Sequence, residues 1–204
     1  QPMKHAFSAL KILCALSLPV LALSGCLFRT GDPVTFYTLS PMPQTAGQTG
    51  AVPGTLLAVL PVAIPTVVDR PQIVTRADDN RILISDTHYW GGSLGDNFTR
   101  VLVANLGSLL AAKKVNVLSD AHAPDEAYRL SVVVGQLDGR LADTVRLNAS
   151  WTLKEPQSQK ALAVGHSVIQ EAVAGEGYDE LVAAASRAVA ALSREIAAEF
   201  EKLR

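Results

Sequence analysis

Four side chains near the middle of the sequence, Asp69, Arg70, His88 and Ser93, are the types that acyl-transfer chemistry uses. An acid, a base and a hydroxyl in hydrogen-bond reach would make a hydrolase. Ser93, however, sits in no Gly-x-Ser-x-Gly elbow, and no base lies at a telling spacing from it. With Asp96 three residues on, Ser93 instead resembles a capping box with the shorter acid. Asp78 and Asp79 supply two carboxylates, but neighbours on a turn seldom converge on one substrate. Gly91-Gly92 lacks the strand–GxGxxG–helix context of a dinucleotide site. Four histidines and two cysteines are scattered without metal-ligand spacing. The expectation is a protein with no metal, no cofactor and no catalytic residue.

Cys26 is the residue whose surroundings do predict a reaction. Lys4 and Lys11 open a short basic region, residues 12–23 are almost wholly apolar, and Leu23-Ser24-Gly25 leads directly into Cys26. The apolar run is short of the ~20 residues of a spanning helix and has the length of a signal-peptide core. Two small residues before a cysteine resemble a lipobox: they fit a narrow peptidase cleft, and the thiol accepts a diacylglyceryl group. The predicted layout is a signal at 1–25, a lipidated tether at 26–33 and one domain at 34–204. Removal of Lys4 and Lys11 would leave 16 basic against 19 acidic residues, a net −3, and Cys14 would leave with the signal. Leu27, not Asp, follows the cysteine, which by resemblance favours the outer membrane, with the protein facing the periplasm.

The body that this anchor would hold has an ordinary globular composition. Its 204 residues are 49% hydrophobic and 18% charged, enough for a packed core and unlike a disordered chain. Eighteen basic and 19 acidic residues leave no basic excess for a nucleic-acid backbone, and aromatics are only 5%.

Period-two and period-3.6 patterns predict the elements. Residues 34–39 form a short strand, and 40–54 a Pro/Gly/Gln loop. A strand at 56–64 contains Pro61, which demands an edge, a bulge or a break. Prolines bracket an irregular corner at 65–71. Strands at 72–75 and 81–85 flank the turn Asp78-Asp79-Asn80. A helix begins at Ser93, with Leu94, Phe98, Val101, Leu102, Leu106 and Leu109 on one stripe; a short strand at 115–118 follows. Residues 141–154 alternate strictly, as do Tyr128, Leu130, Val132 and Val134 before them. Asp138-Gly139 is a favoured type I′ pair, and a turn there would pair Val132 with Val145 and Leu130 with Leu147. Asp143, on the apolar face, is expected at a solvated end. A third strand at 161–171 and an amphipathic helix from Tyr178 complete an α+β domain, a largely antiparallel or mixed sheet with two principal helices packed on it.

Several motifs within this frame resemble the ABC-type transport auxiliary lipoproteins, including their PqiC-like members. They are Phe36-Tyr37-Thr38-Leu39, Ile64-Pro65, Asp69-Arg70-Pro71-Gln72-Ile73-Val74-Thr75-Arg76, Trp90 leading into a helix, Gln136-Leu137-Asp138-Gly139, and residues 145–151. The chain departs from the pattern at Gln136-Leu137, where an aromatic often precedes Asp-Gly. The resemblance implies a non-enzymatic subunit that works with an MCE-domain protein and inner-membrane transporter subunits to move lipid between membranes. It leaves open assembly as a homo-oligomeric ring. Asp69, Arg70, Pro71, Gln72 and Trp90 are the candidate partner-binding residues. For the corner the alternatives are a rigid turn satisfied locally and a preorganised contact loop; for Trp90 they are a core plug and an interface residue. Another function class, an envelope-assembly factor or a regulator of a cell-wall enzyme, fits the same anchor.

Overall fold

The computed structural model describes residues 32–43, 54–158 and 160–203. The signal and Cys26 lie outside the described residues, as does most of the loop at 40–54. The strands are β1 (Thr35–Tyr37), β2 (Thr55–Val59), β3 (Gln72–Arg76), β4 (Ile82–Trp90), β5 (Val115–Ser119), β6 (Tyr128–Gly139), β7 (Thr144–Lys154) and β8 (Ala161–Ala172). The helices are α1 (Leu94–Leu110) and α2 (Tyr178–Lys202). Residues Val34–Arg204 form one compact unit. Its class is the expected α+β, but the strands divide into two sheets, ordered β1-β4-β3 and β5-β2-β6-β7-β8.

Apolar periodicity explains why the elements pack. Along β7, Val145, Leu147, Ala149, Trp151 and Leu153 are all buried, so the alternating face is the core face. Both helices lie against the larger sheet, α1 on β5 and β2, α2 on β7 and β8, and they also touch each other. Phe98, Leu102 and Leu106 of α1 and Leu192, Ile196 and Phe200 of α2 are fully enclosed in one core. The side chain of Ser93 accepts the Asp96 N–H at 3.1 Å, which supplies the helix cap that its position predicts.

Pro61 acts by breaking a strand, not by marking an edge. β2 stops at Val59 with a neighbour on both sides, β5 and β6, each parallel to it. Beyond the proline the chain returns only as a bridge between Ala63 and Val133. A proline in the middle of the ladder would remove an N–H donor that one of these neighbours requires.

The β6–β7 turn is not at Asp138-Gly139. Gly139 pairs with Val145 and Asp138 with Arg146, so both belong to the strand, and residues 140–143 make the turn. The Arg140 N–H closes it on the Thr144 carbonyl, with Ala142 at φ 55°. Val132 therefore opposes Trp151, and Leu130 opposes Leu153, six residues beyond the expected partners. A bulge between Val134 and Gln136 lets both ends of β6 keep their apolar residues inward. The face assignment survived because any register of the same parity gives it. Asp143 is exposed at the strand end, as its position predicts, and lies 3.8 Å from Arg140.

Candidate functional site

The site builds from the corner between β2 and β3. The Val68 and Asp69 amides both donate to the Pro65 carbonyl at 3.0 Å, and the Arg70 amide donates to Val68 at 2.9 Å. These bonds wind residues 65–70 into consecutive turns and bury Val68 beneath them. Arg70 Nε donates to Gln72 Oε1 at 3.2 Å across the start of β3. Pro71 is the hinge to the sheet: its carbonyl accepts the Trp90 N–H at 2.7 Å. Gln72 pairs with Tyr89 in the next register position. Tertiary pairing of β3 with β4 thus brings together all five residues singled out by sequence. Asp69 and Pro71 are exposed, while Arg70, Gln72 and Trp90 are half-buried. Trp90 packs its ring against the core, which is the plug alternative, while its backbone fixes the corner.

The other groups considered for catalysis do not meet at one point. Ser93 is spent on the helix cap. His88 Nδ1 lies 3.1 Å from Ser85 Oγ and 3.0 Å from Thr87 Oγ1, and its ring stacks on Tyr178 with centroids 3.9 Å apart. Ser85 also accepts the amides of Thr87 and His88, which holds an irregular bulge within β4. Tyr37 lies near this stack, 5.7 Å from the His88 ring. Burial first, then the Asp179 carboxylate beside it, pushes the Tyr37 phenol above its ordinary pKa, so the hydroxyl stays neutral. Asp78 is held below the usual carboxylate range by the hydrogen bond from Arg81 and by backbone amides that it accepts. Its work is to close the β3–β4 turn. Among the described residues no group of three or more His, Cys, Asp or Glu is placed to hold a metal ion.

Two recesses flank the corner. One, about 320 Å³, opens beside Trp90 between Tyr37, Ser93, Asn97 and Arg100. The other, about 360 Å³, runs from Pro65 and Val68 to Arg76, Asp79, Asp138 and Arg146. Its floor is a network that sequence reasoning missed. Asp138 is almost fully buried, with Arg76 Nε donating to Oδ2 and Gln136 Nε2 donating to Oδ1, both at 2.8 Å. Asn148 Nδ2 donates in turn to Gln136 Oε1 at 2.9 Å. Arg140 reaches Asp79 at 2.8 Å from the other side. The β3–β4 hairpin is thereby clamped to the β6–β7 end, which fixes the corner from below. The signal was present in the departure at Gln136: a side-chain amide, unlike an aromatic, bridges Asp138 to Asn148. The turn expected at Asp138-Gly139, which took Asp138 out of the strand, concealed it.

No helix among the described residues is long and apolar enough to cross a membrane. Known proteins agree with this architecture. A crystal structure of an uncharacterized protein is 24% identical, with a TM-score of 0.71 over 83% of this chain and 99% of that one. A protein from Xanthomonas campestris is 16% identical, with a TM-score of 0.64 over 80% of this chain and 93% of its own. At those identities they show a shared fold. Among curated proteins none matches the chain. The family model of the ABC-type transport auxiliary lipoprotein component matches residues 37–197, from the last residue of β1 to the last turns of α2 and through the whole corner. The chain belongs to the ABC-type transport auxiliary lipoprotein family.

Proposed function

We propose that this chain is a lipid-anchored, periplasm-facing accessory subunit of an MCE-type intermembrane lipid-transport system. It docks or stabilises the assembly at the outer membrane, and its role is binding, not catalysis. The observation that carries the reading is the geometry of the corner. Asp69 and Pro71 stand exposed, with Arg70 half-buried beside them, on a turn tied down by Pro65, Trp90 and the Asp138 network. A charged, rigid protrusion loses little entropy on association, and arginine is favoured where contacts carry the most binding energy. The family supplies the class of partner, a transport complex.

The test is co-purification with the MCE-domain partner. Arg70→Ala is expected to weaken partner recovery by about tenfold or more, the scale of a hot-spot residue, with the melting temperature unchanged. Normal recovery from a normally folded variant overturns the contact role. The anchor is tested separately by Cys26→Ser, which is expected to abolish incorporation of labelled palmitate and to release the chain from the membrane fraction. One buried chain binds only marginally and several bind durably, since each CH₂ contributes ~0.8 kcal/mol. Equal palmitate incorporation in wild type and variant would refute attachment at this cysteine.

A further inference from the structure

Five of the nine large apolar side chains exposed among the described residues occur on two paired strands: Val34 and Phe36 at β1, and Ile82, Leu83 and Ile84 in the first half of β4. Each is between 37% and 67% exposed. Phe36 rests its ring on Tyr89 of β4, with centroids 5.9 Å apart, and thereby extends the apolar surface across the strand pair. Isolated exposed residues of this kind need no explanation, but a cluster does.

The direction of the chain indicates what covers it. β1 runs parallel to β4, with Thr35 opposite His88 and Tyr37 opposite Trp90. The chain before Thr35 therefore leaves β1 toward the start of β4, the end that carries Ile82–Ile84. Cys26 precedes Val34 by eight residues, a reach of at most about 28 Å at ~3.5 Å per residue. A domain of this size is roughly 40 Å across, judging by its expected radius of gyration. The short tether thus leaves the protein at Val34, on the side toward the end of β4 that carries Ile82 and Ile84.

Ile82 and Ile84 share one face of β4, and Leu83 turns to the other. We propose that the surface formed by Val34, Phe36, Ile82 and Ile84 lies against the anchoring bilayer and sets the orientation of the domain on it. The occupant is the boundary between headgroups and acyl chains, which apolar protein surface enters to a depth of ~5–10 Å. The acyl chains then hold the protein on the membrane, and this surface selects which face is turned toward it. The inference rests on acylation of Cys26.

The mature chain would carry no free thiol, so single substitutions Phe36→Cys and Ile84→Cys can each take an environment-sensitive fluorophore, with Val164→Cys on β8 as control. The full lipidated protein is reconstituted in phosphatidylethanolamine–phosphatidylglycerol vesicles containing doxyl-labelled phosphatidylcholine, and flotation is measured first. The expected result is flotation of all three, with quenching by the doxyl lipid about twofold or more stronger at positions 36 and 84 than at 164. Flotation with equal quenching at all three overturns the orientation and leaves the anchor standing. Self-quenching at 36 and 84 that unlabelled protein relieves, without lipid quenching, assigns the surface to a second copy and also overturns it. Failure to float removes the anchor, and the orientation with it.

Discussion

Gly165→Ala is expected to destabilise the domain by about 3 kcal/mol, at the upper end of the usual cost of overpacking. Gly165 of β8 lies directly opposite Trp151 of β7. A Cβ at position 165 would fall 2.1 Å from Trp151 Cζ2 and 2.3 Å from Cε2, far inside contact distance. The indole cannot swing away. It is 7% exposed, and its Nε1 donates to Ser167 Oγ at 3.1 Å, which itself donates to Glu195 Oε2 of α2 at 2.5 Å. Moving the ring would break a chain of hydrogen bonds that joins two strands to a helix, leaving a buried N–H without a partner. Urea unfolding of wild type and variant measures the cost. The control is the same substitution in a Trp151→Leu background, where the penalty should fall by more than half, because coupled neighbours do not add. An equal penalty in both backgrounds would show that the indole is not the obstacle.

The second large effect is expected at Asp138. Asp138→Ala removes the acceptor of both Arg76 and Gln136, and the Arg76 guanidinium, about one quarter exposed, loses its buried counter-charge. Breaking a fully buried pair costs ~3–5 kcal/mol; partial access of water to Arg76 lowers the expectation here to about 2–3 kcal/mol. The damage should be local as well as global. Arg76 ends β3, and its pair with Asp138 ties the β3–β4 hairpin to β6, so hydrogen exchange across 72–76 and 82–90 should accelerate more than exchange in α2. Asp138→Asn keeps the shape, and should recover part of the loss if hydrogen bonding contributes beside charge. Stability unchanged in the alanine variant would mean that the clamp does not hold the hairpin.

These two sites differ in how well the sequence announced them. Trp151 and its face were plain from alternation, since the five positions from Val145 to Leu153 obey a period of two without exception. The need for glycine opposite the indole was not visible, because it depends on register between β7 and β8 across the polar loop 155–160. Asp138 was misread for a related reason. Asp-Gly is a strong local turn signal, and on local grounds alone a two-residue hairpin is preferred. The fold overrules it by pairing the whole length of β7 with β6 across a bulge at 134–136, which gives the carboxylate an arginine from a different sheet. Turn propensity amounts to a few tenths to one kcal/mol, and several buried apolar side chains easily exceed that.

What the sequence by itself determined is everything encoded at short range. The helix at Ser93, the final amphipathic helix, the alternating strands and the turn at Asp78 all follow from neighbours within a few residues, where capping, periodicity and backbone restriction act; at Pro61 the sequence left an edge, a bulge or a break, and the pairing on both sides of β2 decided for the break. The order of motifs was also enough to reach the family. What only the tertiary structure decided is which distant residues meet: the division into two sheets, the parallel pairing of β1 with β4 and of β2 with β5 and β6, the bond from Trp90 to Pro71, and the Arg76–Asp138 clamp. Those pairings are non-local, and their energy comes from total buried surface and from satisfying polar groups on both sides. No stretch of chain carries that information alone.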